Sequence, residues 1–163
     1  MRYLVEDGFT IVSGLAAGTD WNAHTTAIEM GGRTIAVLGT PITHVYPRAH
    51  AALQRDIGDR FLVISQVPMM LYAKRDYRYN RMFFPERNIT MSALTDASII
   101  VAIGDSRGTY IQSQAALEQG RPLFLLNNCF KKEGVDWPHR FAERGAIRVY
   151  EYEDIRRRLL PKN

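Results

Sequence analysis

The chain has 163 residues, 46% of them apolar and 23% charged, the balance of a soluble globular protein, and it is expected to form one domain over residues 1–163. No apolar run approaches the ~18 residues that a membrane helix requires, and the N-terminus lacks the charged, apolar and cleavage regions of a secretion signal. The lone Cys129 excludes an internal disulfide and a multi-cysteine metal site and fits a reducing cytoplasm, while a net charge of +4 favours an acidic partner such as nucleic acid.

In chain order, residues 1–7 read as the tail of a helix that Gly8 stops. Residues 9–12 read as a buried strand. A turn of small residues then leads into a helix at 21–30, with Asp20 as its N-cap and Gly31-Gly32 as its stop. The run TIAVLG at 34–39 is apolar throughout and bounded by glycine, as in a strand covered on both faces by helices. Residues 41–47 read as a loop, 48–57 as a helix and 61–65 as a strand. Residues 68–85 show no clear period and are too long for a casual connection, which marks them as a functional loop. A helix at 87–94 and a strand at 98–103 follow. A second glycine-bearing turn, at 104–109, leads into a helix at 110–119 that Gly120 ends, then a strand at 122–126. Residues 127–145 read as irregular, 147–150 as a short strand and 153–160 as a basic closing helix. Strands alternating with helices predict an α/β fold with a mostly parallel sheet and helices on both faces. Ligands in such folds bind beyond the carboxyl ends of the strands, so both glycine-bearing turns are expected on one rim.

The turn in TIVSGLAAGTDWNAH, residues 10–24, suits a phosphate. Gly14 and Gly18 let backbone N–H groups approach an anion, Ser13 adds a hydroxyl, and the start of the next helix carries partial positive charge. The spacing is neither the G-x-G-x-x-G dinucleotide fingerprint nor the GK[ST] phosphate loop, and an ordinary strand-to-helix connection explains it equally well. The segment YAKRDYRYNRMFFPERN, residues 72–88, sets Lys74, Arg75, Arg78, Arg81 and Arg87 against only Asp76 and Glu86, with Tyr72, Tyr77, Tyr79, Phe83 and Phe84 interleaved. Single-stranded nucleic acid is bound by this combination, cations tracking phosphates and rings stacking on unpaired bases. A solvated charged loop with a phenylalanine pair in the core is the structural alternative. In the turn at 104–109, Arg107, Gly108 and Thr109 at a helix start suit one phosphate group.

Asp20 and His24, four apart on one helix, fit an acid-base pair or two metal ligands, but more readily a structural pair in which Asp20 holds the imidazole; two residues do not make a metal site. His44, His50 and His139 have no partner spacing. Neither Ser13 nor Cys129 has an adjacent base, which speaks against nucleophilic catalysis. The triplet at 156–158, all arginine, reads as a solvated face.

Taken together, these stretches resemble the DNA-processing protein A (DprA/Smf) family. The resemblance rests on IVSGLAAGTDWNAH at 11–24, GGRTIAVLG at 31–39, Tyr46-Pro47, FPERN at 84–88, GRPLF at 120–124 and GAIRVYEYEDI at 145–155. It implies a Rossmann-like domain that binds single-stranded DNA, tends to form a homodimer and in the family helps load RecA during natural transformation; no cofactor and no catalytic residue are expected. Ser13, Gly14, Gly18, Asp20, His24, Phe84, Arg87, Asn88, Gly108 and Thr109 fall on the family pattern or a close substitute. Ala17 and Ile89 stand where the family carries arginine, and Arg107-Gly108-Thr109 replaces its SGS turn. Arg107 and the arginines of residues 72–81 are therefore expected to replace lost phosphate contacts. The family's first strand and flanking domains have no counterpart in this sequence, which reads as N-terminally short and favours a dimer.

A rival resemblance is to nucleoside-monophosphate phosphoribohydrolases of the LOG type, through GDSRGTYIQ at 104–112. That motif ends in a glutamate, and Gln112 stands in its place, where an amide cannot serve as a carboxylate base. A nucleotide sensor using the same turns without chemistry is the third reading.

Overall fold

Three short aliphatic runs, Ile11–Ser13, Thr34–Leu38 and Leu62–Ser65, form parallel strands β1, β2 and β3 in that order, in a computed structural model that describes residues 1–104 and 107–160. Ile11 pairs with Thr34 and Ser13 with Ala36, and Val37 pairs with Ile64. A second parallel sheet joins β4 (Ser98–Ile100), β5 (Leu123–Leu126) and β6 (Ile147–Val149), with Ile100 opposite Leu125 and Leu126 opposite Val149. The strands are parallel, as the continuous apolar runs predict, and they hydrogen-bond as two three-stranded sheets. The chain divides into two compact units, Met1–Met91 and Ser92–Asn163.

In the first unit, α1 (Arg2–Glu6) ends before Gly8, α2 (Thr19–Glu29) packs on β1 and β2, and α3 (Ala51–Arg60) packs on β2 and β3. Leu15, Ala36, Leu38 and Ile57 form a buried cluster there. In the second, α7 (Gly108–Glu118) packs on β4 and β5, and α9 (Tyr152–Leu159) on β6. Its core joins Ile100, Leu123, Leu125, Cys129, Trp137 and Phe141, the two large rings at a centroid distance of 5.1 Å.

Three local expectations are corrected. Residues 68–85 are largely helical: α4 (Met69–Lys74), α5 (Tyr77–Asn80) and the start of α6 (Phe83–Ala93), which tolerates Pro85 because its first turn needs no internal N–H bond. Residues 127–145 contain a 3-10 turn (Asn127–Lys131) and α8 (Trp137–Glu143), with Pro138 in its first turn. Helix α2 starts before Asp20, with Gly18 as its N-cap, so Asp20 lies in the first turn and serves a different partner. Asp105 and Ser106, within the second glycine-bearing turn, lie outside the described residues.

Candidate nucleic-acid interface

The first turn leaves the carboxyl end of β1 and is shaped by donors from distant parts of the chain. Arg87, on α6 and only 6% exposed, donates from Nη1 to the carbonyls of Gly14 (2.5 Å) and Val37 (2.8 Å) and from Nε to Asn88 Oδ1 (2.8 Å). A Cβ on Gly14 would collide with this guanidinium, so any larger residue there would displace Arg87 from its acceptors. Leu15 follows at φ 65°, a left-handed conformation that costs a side-chain-bearing residue about 1–2 kcal/mol. Its completely buried side chain and a hydrogen bond from His50 Nδ1 to its carbonyl (2.8 Å) hold it there. The Ala16 N–H donates to Asp20 Oδ2 at 3.1 Å, so the carboxylate braces the turn. Residues 16–19 are exposed, with Gly18 at φ 84°, and they form the approach to the start of an eleven-residue helix, a geometry that suits an anion.

Beneath the turn lies His24, fully buried. The Thr34 hydroxyl donates to the Ile11 carbonyl (2.9 Å), so its oxygen accepts from His24 Nδ1 at 2.7 Å, which fixes the tautomer. Nε2 is then the unprotonated nitrogen, buried without a hydrogen-bond partner among the described residues. Burial pushes the imidazole pKa from 6.5 down to about 4, against the smaller opposing effect of the Asp20 charge. His24 is therefore neutral at pH 7 and is held by Thr34, whereas the expected brace was Asp20. Burial also lowers the pKa of Arg87, with Asp20 again opposing.

The structure brings Ser13, Gly14, Gly18, Asp20, His24, Arg87 and Asn88 together at this turn. Ser13 (8% exposed) and Arg87 lie inside it, and the exposed rim runs from Ala16 to Thr19. Phe84 is half-buried over Gly39, where a Cβ would stand 2.5 Å from its ring, and tilts against Tyr46 at 5.5 Å. Lys74, Arg75, Arg78 and Arg81 are exposed on and beside α4 and α5. In the second unit, exposed Arg107 is the N-cap of α7, Gly108 is its first residue, and Thr109 Oγ1 is buried without a hydrogen-bond partner among the described residues.

Sequence reasoning missed His50, Leu15 and Thr34. No local signal marks His50 as the partner of Leu15, 35 positions away. Among the described residues no group of three or more His, Cys, Asp or Glu is placed to hold a metal ion, and no helix is long and apolar enough to cross a membrane.

The family model for DNA recombination-mediator protein A matches residues 1–160. Protein Smf of Escherichia coli is 35% identical over 153 residues, which are 93% of this chain and 39% of that protein. The DNA processing protein DprA of Bacillus subtilis is 31% identical over 162 residues, 99% of this chain and 52% of that protein. Among solved structures, DNA processing protein A from Streptococcus pneumoniae is similar with a TM-score of 0.77 and 32% identity, over 94% of this chain and 52% of that one. DNA processing protein A from Helicobacter pylori, solved for its single-stranded DNA binding mode, is similar with a TM-score of 0.75 and 26% identity, over 98% of this chain and 69% of that one. The chain thus spans about half the length, or less, of these two curated relatives.

Proposed function

The chain belongs to the DNA recombination-mediator protein A family, and we propose that it binds single-stranded DNA without catalysing a reaction on it, in support of recombination or DNA uptake. The observation that carries this reading is the exposed row Lys74, Arg75, Arg78 and Arg81, with two exposed tyrosines among them. Cations at this density track successive phosphates, and the only acid between residues 69 and 82, Asp76, is occupied as the α5 cap through the Tyr79 N–H. Arg107 with the N-terminus of α7, and the exposed residues 16–19, are further phosphate contacts in this reading. Ser13, Gly14, Arg87 and Asn88 serve it by shaping the first turn. Phe84 offers a partly exposed ring, and Gly108 and Thr109 open α7 behind Arg107. The ssDNA binding of the Helicobacter pylori relative supports the assignment.

Titration with labelled oligo-dT at two salt concentrations tests it. Affinity is expected to fall steeply with salt, and Arg78→Ala and Arg107→Ala are each expected to reduce the slope of log K against log salt by about 0.7. Unchanged affinity and slope in both variants would remove the proposal. In the same reading the protein works in the cytoplasm as a homodimer and engages RecA. The mass in solution and co-sedimentation with RecA on ssDNA test those two partners. Gln112 in place of a carboxylate base predicts that incubation with AMP releases no adenine.

A further inference from the structure

Helices α4 and α5 are fixed from within. Asn80 is 8% exposed, and its Nδ2 donates to the carbonyls of Tyr72 (3.0 Å) and Arg75 (3.4 Å), tying one helix to the other. Asp76 Oδ1 accepts from the Tyr79 N–H at 2.8 Å and caps α5. Tyr72 and Tyr79 both approach Phe83, with centroid distances of 6.3 and 6.1 Å, and Phe83 is buried. Held in this way, the segment presents two rings to solvent, Tyr77 at 69% and Tyr79 at 42% exposure. Each ring is backed by a guanidinium: Arg81 lies 5.6 Å from the Tyr77 centroid and donates from Nη1 to its hydroxyl (3.2 Å), and Arg75 lies 4.7 Å from the Tyr79 centroid.

We infer that Tyr77 and Tyr79 are stacking platforms for two unpaired bases, so that this surface recognises bases as well as phosphates. The inference rests on the proposed single-stranded DNA binding and assigns base contact to two residues within it. A single exposed tyrosine is ordinary on a protein surface. Here two are set on a braced backbone with a guanidinium at each, Arg81 hydrogen-bonded to the Tyr77 hydroxyl and Arg75 near the Tyr79 ring, which restricts ring motion before any ligand arrives and so lowers the entropy lost on binding. An exposure as high as that of Tyr77 leaves its ring open to a flat partner. Lys74 and Arg78, exposed on the same segment, supply charge for the flanking phosphates. Bases inside a duplex are already stacked on their neighbours, so the platforms select single strands.

The test compares oligo-dT with an abasic strand of equal length, which keeps the phosphates and removes the bases. The wild-type chain is expected to bind oligo-dT about tenfold or more tightly than the abasic strand, since one stacked base alone is worth about that factor. The double variant Tyr77→Ala/Tyr79→Ala is expected to lose this preference and keep the salt slope, with its fold verified by circular dichroism. Tyr77→Phe/Tyr79→Phe, which retains both rings, is expected to keep the preference. A preference that survives in the alanine variant, vanishes in the phenylalanine variant, or is missing from the wild type overturns the platform assignment while leaving phosphate binding in place. Failure of the wild type to bind either strand overturns the single-stranded DNA reading itself.

Discussion

Around its first turn the unit Met1–Met91 buries a guanidinium, two imidazoles and hydroxyls, whereas the unit Ser92–Asn163 packs aliphatic side chains around Trp137 and Phe141, and its buried polar groups, among the described residues, are the hydroxyls of Ser92, Ser98, Ser113 and Thr109. The contrast follows from what each interior must satisfy. A turn that passes through a left-handed leucine directs carbonyl groups inward, and buried carbonyls need donors, which Arg87 and His50 provide. The second interior has no such turn among its described residues and is held mainly by fitting volumes. In the first unit, stability and the shape of the turn's exposed segment therefore depend on the same hydrogen bonds.

Four perturbations sharpen or break this comparison. Phe141→Ala should be the most damaging, about 3–5 kcal/mol by urea denaturation, because Trp137, Tyr110 and their neighbours cannot close over the lost ring. Its effect should not depend on pH between 5 and 8; a strong pH dependence would mean that charge matters in that core after all. Arg87→Ala should cost roughly 3 kcal/mol, since two buried carbonyls lose a charged donor, and Arg87→Lys should recover only part because an ammonium lacks the planar fork.

The third perturbation is acid. The native pKa of His24, about 4, lies below its ordinary value of 6.5, so between those values the unfolded chain binds more protons. The His24 contribution is fully present above this window and is lost as pH falls through it, by up to about 3 kcal/mol at its lower end. Denaturation of the wild type and of His24→Asn at several pH values should show the difference in slope there, and parallel curves would refute the role given to its burial. The smallest effect belongs to His50. His50→Ala should cost about 1–2 kcal/mol by leaving the Leu15 carbonyl unpaired, and His50→Asn, whose amide nitrogen can occupy the place of Nδ1, should restore much of it. If asparagine is no better than alanine, side-chain volume rather than the hydrogen bond explains the residue.

Much of the frame was legible in the residues. The apolar runs at 34–39 and 122–126 are strands, and Gly8, Gly31 and Gly120, all at positive φ, lie just beyond α1, α2 and α7 as stop signals do. The illegible parts are of two kinds. The short helices α4 and α5 carry no full helical period, and a buried Asn80 with an Asp76 cap defines them where a continuous apolar face would otherwise be needed. The interior of the first turn is invisible for another reason: its partners are remote in the chain.

By itself, the sequence determined the α/β alternation, the first glycine-bearing turn, the basic and aromatic content of residues 72–88 and, through its ordered motifs, the family. Those are local properties, set by periodicity, backbone freedom and composition. Tertiary structure alone decided which cations stay outside and which is drawn in. Lys74, Arg75, Arg78 and Arg81 remain on the surface, whereas Arg87, alike in charge and only a few residues further on, turns inward onto the carbonyls of Gly14 and Val37. The physical reason is that a buried guanidinium requires acceptors on more than one side, and only the folded chain assembles them from the turn after β1, from β2 and from α6.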